Sequence, residues 1–251
     1  MPVIISTMPL DFKSYGNEDR HHGASHGIQV EVSHVAIQGL RVLGTPVHEK
    51  PAERYVRRNY PIVREDRNLD DLRITQCLFI GDRKGIPDHL SILASSQRVV
   101  VDHCVFCNVK DAVVFWFSDR PAEHCEMHHN LILWNYGAAF WSWSLAPGFK
   151  YYNNVVAGAN VFWVYNENEQ VSLNLSNSMV LGYNDLVHKG GGAFGFGGKG
   201  DANKNKLILD KSVIIKKEAT VEIEQDETRR NYLQRKMGTE GTNLEAGFFT
   251  R

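Results

Sequence analysis

The chain has 251 residues, enough for one domain or two and for a large core. Its 28 lysines and arginines face 29 acids, so no net field draws it to nucleic acid or to an anionic membrane, and no run of about 18 apolar residues exists to span a bilayer. Four cysteines in that length are ordinary usage rather than a disulfide scaffold.

The opening "MPVIISTMPL" has no charged start ahead of an apolar core, so it does not read as a secretory signal. Within it, "PVIIS" predicts a strand already inside a repeating unit. The polar "YGNEDRHHGASHG" that follows reads as a loop; His21, His22 and His26 are metal-ligand types, but a solvated loop is the expectation for so permissive a tract.

From residue 37 a template recurs: "IQGLRVLG", "ITQCLFIG", "VDHCVFCN", "MHHNLILW", "YYNNVVAG", "LSNSMVLG" and "LDKSVIIK". Its fourth column holds Leu40, Cys77, Cys104, Asn130, Asn154, Ser178 and Ser212. From Cys77 to Ser178 the steps are 27, 26, 24 and 24 residues; the longer first and last steps, 37 and 34, carry the polar insertions "PVHEKPAERYVRRNYPIVREDRNLD" and "KGGGAFGFGGKGDANKNK". A second alternating segment follows the templates, as in "HLSILA", "AVVFWF", "AAFWSW", "NVFWVY" and "ATVEIE".

Short strands separated by a tight polar turn, repeated every two dozen residues without helical periodicity, predict an all-β solenoid. Coils then stack at about 4.8 Å, and the small polar residues of the fourth column form a buried Asn/Cys/Ser ladder, each bond worth about 1 kcal/mol. The expected division is a partial coil and polar loop over 1–27, a parallel β-helix over 28–223 and a capping tail over 224–251. The tail is charged, with a short helix expected at "DETRRNYLQRK". Bare end coils expose unpaired strands. No amphipathic helix is read ahead of the first strand, so the expectation is that upstream coils belong to a longer parent or that a partner covers that end.

The stretch "RVVVDHCVFCNVKDAVVFWF" resembles the pectate-lyase-type right-handed parallel β-helix. The wider chain, including "YYNNVVAGANVFWVYN" and "NYLQRKMGTEGTNLEAGFF", resembles a group of bacterial right-handed β-helix repeat proteins of the same superfamily. The resemblance implies a single-stranded right-handed parallel β-helix of about seven coils, a polysaccharide or oligosaccharide partner, and an extracellular or periplasmic location. It does not carry over a calcium site or a catalytic arginine. The strand after "DH" has Asp111 at its start and then only apolar residues, and no motif matches the arginine. No cofactor is expected.

"DHCVFC" invites a zinc reading, since Cys104-x2-Cys107 and Cys125-x2-His128 have ligand-like spacing. The repeat separates these residues onto different faces, so no metal site is expected and the stretch reads as architecture. His103 and His129 read as turn residues one column before the ladder. Cys77 and Cys104 fall on adjacent rungs, where a disulfide is conceivable and buried thiols are expected.

Aligning "VVFWF", "AFWSW" and "VFWVY" places Phe115, Trp141 and Trp163 in one column and Phe117, Trp143 and Tyr165 in another of the same parity. Facing outward, these would form an apolar strip suited to sugar rings; facing inward, they would be core packing. The outward reading is preferred. Leading into this strip are Asp88, His89, Lys110, Asp111, Tyr136, Asn160, His188 and Lys189, and leaving it Asp119, Arg120, Glu123, His124, Glu167 and Glu169.

Two chemistries fit these groups. β-Elimination on a uronic acid needs a base beside the carboxylate and a stabiliser of the resulting dianion. His89, Lys110 or Tyr136 would be base or acid and Arg120 or Asn160 the stabiliser. Glycoside hydrolysis needs two carboxylates about 5–5.5 or 6.5–9.5 Å apart, for which Asp88 with Asp111, or Asp119 with Glu167, are candidates. The fold resemblance favours the lyase. A non-catalytic carbohydrate-binding or structural solenoid is the third reading.

Overall fold

A computed structural model of the protein describes residues 1–5, 24–44, 58–116, 123–142, 148–166, 172–191, 195–196 and 207–219. Among them every regular element is a β-strand, and the strands form three sheets. An opening sheet holds Val35–Gln38, Asp70–Thr75, Gln97–Asp102, Glu126–His128, Lys150–Tyr152, Leu173–Ser176 and Leu207–Leu209. A middle sheet holds Val3–Ile5, Arg41–Leu43, Leu78–Ile80, Val105–Cys107, Leu131–Leu133, Val155–Ala157, Met179–Leu181 and Ile214–Lys216. A closing sheet holds Ala24–Gln29, Arg58–Arg64, Asp88–Ala94, Asp111–Phe115, Ala138–Ser142, Val161–Asn166, Asp185–Gly191 and Gly195–Phe196. Pairing is parallel everywhere except between the last two strands of the closing sheet. The chain visits the three sheets in rotation, so a β-branched segment pairs with its equivalent one template later rather than with its neighbour in sequence.

The turn from opening to middle sheet keeps one shape from coil to coil. Gly39, Gln76, His103, His129, Asn153 and Asn177 all have positive φ, between 48° and 71°. One residue on, Cys104, Asn130, Asn154 and Ser178 stand in vertical file, all fully buried. Asn130 Oδ1 accepts the Cys104 N–H at 3.0 Å, Asn154 Oδ1 the Asn130 N–H at 3.0 Å, and Ser178 Oγ the Asn154 N–H at 3.1 Å. The ladder satisfies backbone groups that the turn leaves unpaired, which is why its residues are short and polar. Cys77 and Cys104 lie on adjacent rungs as free buried thiols.

Ser212 does not continue this file. Leu209 pairs with Leu175 as the template requires, but Ile214 pairs with Met179, which puts Val213 above Ser178. The turn at 210–213 therefore carries one extra residue. Ser212 instead accepts the Asn177 N–H at 2.8 Å.

A stretch read as a polar loop and one read as a polar insertion both contain strand residues. Ala24–Gln29 places His26 opposite Tyr60, and the insertion after the first template supplies Arg58–Arg64. Periodicity hid the second strand because its inward end is charged: Arg64 is fully buried, donating to the carbonyls of Val32 and Asp70. The tail from 224, His21, His22 and most of "ATVEIE" lie outside the described residues.

One apolar cluster collects side chains from all three sheets, including Phe79, Phe106, Met127, Ile132, Tyr151 and Phe162. Phe79 stacks on Phe106 at 5.0 Å and Phe140 on Tyr151 at 5.3 Å, contacts worth about 0.5–1.5 kcal/mol each beyond area burial.

Candidate functional site

The closing sheet corrects the expected aromatic strip. Its pairing runs Val113–Phe140–Trp163–Val187 and Val114–Trp141–Val164–His188. Trp141 is thus one residue out of register with Phe115 and with Trp163. Phe115, Trp163 and Tyr165 enter the common core, all at most 3% exposed, and Trp163 donates its indole N–H to Ser142 Oγ at 2.7 Å. Trp141 lies on the opposite face, where it joins Val114 and Val164 in a separate buried cluster and is 9% exposed. Strict alternation failed because the strands turn a corner. Ala112 and Val113, Ala139 and Phe140, and Phe162 and Trp163 are consecutive pairs that both face the core. Neither face presents an open aromatic strip among the described residues. Trp143, Phe117, Asp119, Arg120, Glu167 and Glu169 lie outside them.

Five of the residues named as catalytic candidates, Asp88, His89, Lys110, Asp111 and Tyr136, gather where the closing strands begin. Lys110 Nζ is 2.5 Å from Asp88 Oδ2, and the Lys110 N–H donates to the His89 carbonyl. The His89 N–H donates to the Tyr136 hydroxyl at 3.2 Å, with the Arg83 guanidinium over the Tyr136 ring at 5.8 Å. Asp111 is 2% exposed and accepts the Ala138 N–H at 2.5 Å. Burial pushes its carboxyl up, opposed by that bond and by Lys110. A side chain on Gly137 would collide with Asp111 Oδ1 and the Lys110 carbonyl, so glycine there permits the approach. The His89 ring is 2% exposed; burial lowers its pKa to about 4 and its Nε2 has no hydrogen-bond partner. Burial raises the Tyr136 phenol, as do Asp88 and Asp111. Asn160 Oδ1 accepts from Asn184 Nδ2 at 2.7 Å. In this patch Lys110, Asp88, Tyr136 and Arg83 reach solvent, whereas His89 and Asp111 are built into the wall.

A second cluster lies on the outward side of the opening sheet, and its residues are those read from sequence as turn architecture. Pairing stacks Thr75, Asp102, His128 and Tyr152, and the adjoining turn column stacks Gln76, His103, His129 and Asn153. Asp102 Oδ2 is 2.7 Å from His103 Nδ1 and accepts from Thr75, while Arg73 donates to both its oxygens at 2.9 and 3.0 Å. Burial alone would raise this carboxyl, but the bonds from Arg73, His103 and Thr75 prevail and hold it at about 2. The His103 and His129 rings stack at 4.8 Å, and those of His128 and Tyr152 at 4.7 Å. Tyr152 donates to Glu126, which also binds Lys150. Burial and Glu126 raise the Tyr152 phenol, so it stays protonated. Burial and the neighbouring imidazoles lower His129 to about 4.

Sequence reasoning places the histidines correctly in the turn but stops there. The positive-φ column asks only for a residue tolerant of left-handed backbone, and the next coils meet it with Asn153 and Asn177. That two consecutive coils use histidine there, beside Asp102, His128 and Tyr152, was the available signal. Compared with known proteins, the chain matches no family model, no curated protein and no solved structure.

Proposed function

We propose that the chain is a single-stranded right-handed parallel β-helix of about seven coils, of the pectate-lyase-like kind, that cleaves a uronic-acid-containing polysaccharide by β-elimination outside the cytoplasm. The observation that carries this reading is the Asp102–His103 contact of 2.7 Å on an outward face, with Arg73 bonded to the same carboxylate and Tyr152 two strands further along the sheet, beyond His128. A carboxylate held ionised on Nδ1 fixes the imidazole tautomer and leaves Nε2 as the basic atom.

In the reaction His103 removes the proton on the carbon next to the uronate carboxylate. The electron pair forms the carbon–carbon double bond, the C–O bond to the neighbouring sugar breaks, and a solvent water protonates the departing oxygen. Arg73 and Lys150, both more than half exposed, offset the carboxylate charge as it spreads in the transition state. The cation-bearing patch of Lys110, Arg83 and Tyr136 provides a further place for an acidic sugar.

Incubation with polyuronates, followed by ultraviolet absorbance of the unsaturated product, tests the reaction. His103→Gln should lower kcat by about 10²–10⁴-fold with binding retained. Full activity in that variant, with loss in Lys110→Ala or Tyr136→Phe, would move the chemistry to the closing-sheet patch. New reducing ends without absorbance would indicate a hydrolase, and binding without product a non-catalytic module.

A further inference from the structure

We infer that His103, His128 and His129 form a binding site for a borderline divalent transition ion such as Zn2+, with Asp102 holding His103 from behind. The inference does not depend on the elimination chemistry and competes with it, since an ion on His103 Nε2 takes the lone pair that proton removal would use.

The three imidazoles come from consecutive coils and are brought together by stacking, with Asp102 paired to His128 across the opening sheet. Their ring centroids form a triangle of 4.8, 5.1 and 6.1 Å. Among the described residues the group whose ligand atoms all lie within 4.8 Å of one another is Asp102, His103 and His128; His129 stands outside that group and adjoins it through its nitrogen contact with His128. His128 Nδ1 and His129 Nδ1 are 2.9 Å apart. Two nitrogens bound to one ion at about 2.0–2.1 Å are separated by roughly 2.9 Å at a right angle and slightly more at a tetrahedral one. The pair is therefore already at ligand separation. Imidazole suits zinc, copper and nickel rather than calcium or magnesium.

The groups behind the rings complete the pattern. Bound histidines commonly give their other ring N–H to a carboxylate or carbonyl. Asp102 faces His103 Nδ1, and the Asn153 amide lies 2.9 Å from His129 Nε2. Asn153 Nδ2 donates to His129 Nε2, which puts the ring proton on Nδ1; a half-turn of the Asn153 amide, setting Oδ1 on Nε2–H, frees the Nδ1 lone pair for the ion. The rings are also held in place before any ion arrives, because His103 and His129 occupy a turn whose backbone is set at φ 52° and 56°. Arg73 offsets the charge of Asp102, so affinity comes from the imidazoles and not from a net negative field.

Two substitutions copy residues that neighbouring coils use at the same rungs, and so keep the fold. His129→Asn matches Asn153 and His128→Ser matches Ser176. Zn2+ titration calorimetry and the visible spectrum of added Co2+ should show one ion bound per chain. The double variant should lose affinity by at least 10–100-fold, with its circular dichroism unchanged. His21→Gln/His22→Gln, in the other histidine tract, should leave binding as it is. Equal Zn2+ affinity and an equal Co2+ spectrum in the His128→Ser/His129→Asn chain would overturn the inference, as would no Zn2+ uptake by the unaltered chain. Because no substrate is present, neither result speaks to elimination.

Discussion

The turn between the opening and middle sheets and the corner within the closing sheet belong to the same coils, yet different forces hold them. At the turn, directional bonds from Asn130, Asn154 and Ser178 fasten each coil to the next. A one-residue slip there would leave buried N–H groups unpaired, at about 1–3 kcal/mol each. At the corner the contacts are apolar, and Phe140 packs with Phe149, Tyr151, Phe162 and Trp163 at centroid distances from 5.3 to 6.2 Å. Apolar shape tolerates a shift that hydrogen bonds do not. The lesson is that register is written in the sequence where it is enforced by polar side chains, and is concealed where it is enforced by packing.

The sharpest way to test this contrast is to separate Trp163 from Trp141. Were the two in one column, their removal would have similar consequences. In the observed register Trp163→Ala empties the common core and strips Ser142 Oγ of its indole donor. It should cost about 3–5 kcal/mol in urea unfolding. Trp141→Ala removes a side chain from the smaller cluster on the opposite face and should cost less. Both indoles should resist quenching by acrylamide, and equal costs together with strong quenching would restore the outward strip.

The legibility of the fold follows the same division. The template yields the opening strands and the ladder as far as Ser178, because each of these positions is dictated by a turn with one geometry. It misses the slip at 210–213, since Ser212 is as polar as a ladder residue and only coordinates reveal the extra turn residue. It misses Arg58–Arg64 because a buried arginine breaks the apolar pattern of that strand. The candidate sites are legible as residue types but not as neighbours. Lys110 and Asp88 both stand out as titratable edge residues, yet their contact depends on which face each coil turns outward. The histidine cluster is concealed because its turn residues have a sufficient structural reason of their own.

A second test concerns the start of the closing strands, where His89 is walled in. Its ring binds no proton until about pH 4, whereas in the unfolded chain protonation occurs near the ordinary value of 6.5. The stability tied to neutral His89 is therefore complete above about pH 6.5 and is lost as pH falls through that range towards 4. A tenfold difference in proton affinity between the folded and unfolded chain is worth about 1.36 kcal/mol, so roughly 3 kcal/mol is involved. His129 acts in the same direction, but solvent screens it more. Denaturation midpoints measured from pH 7.5 to 4.5 should fall steeply in the natural chain and less steeply in His89→Gln. Identical slopes would mean that the ring is solvated.

The finest distinction lies between two serines that the template treats as equals. Ser178→Ala leaves the Asn154 N–H buried without its acceptor, for a loss of about 1–2 kcal/mol. Ser212 is out of file and near the surface, accepting only the partly buried Asn177 N–H, and Ser212→Ala should change stability by no more than about 0.5 kcal/mol. Deleting Val213 should move Ser212 to the rung above Ser178 and lengthen the ladder by a coil. Hydrogen exchange at the Asn177 and Ser178 amides would report the change, slowing if the ladder extends. Faster exchange would show that the extra residue is needed to turn the chain at that end.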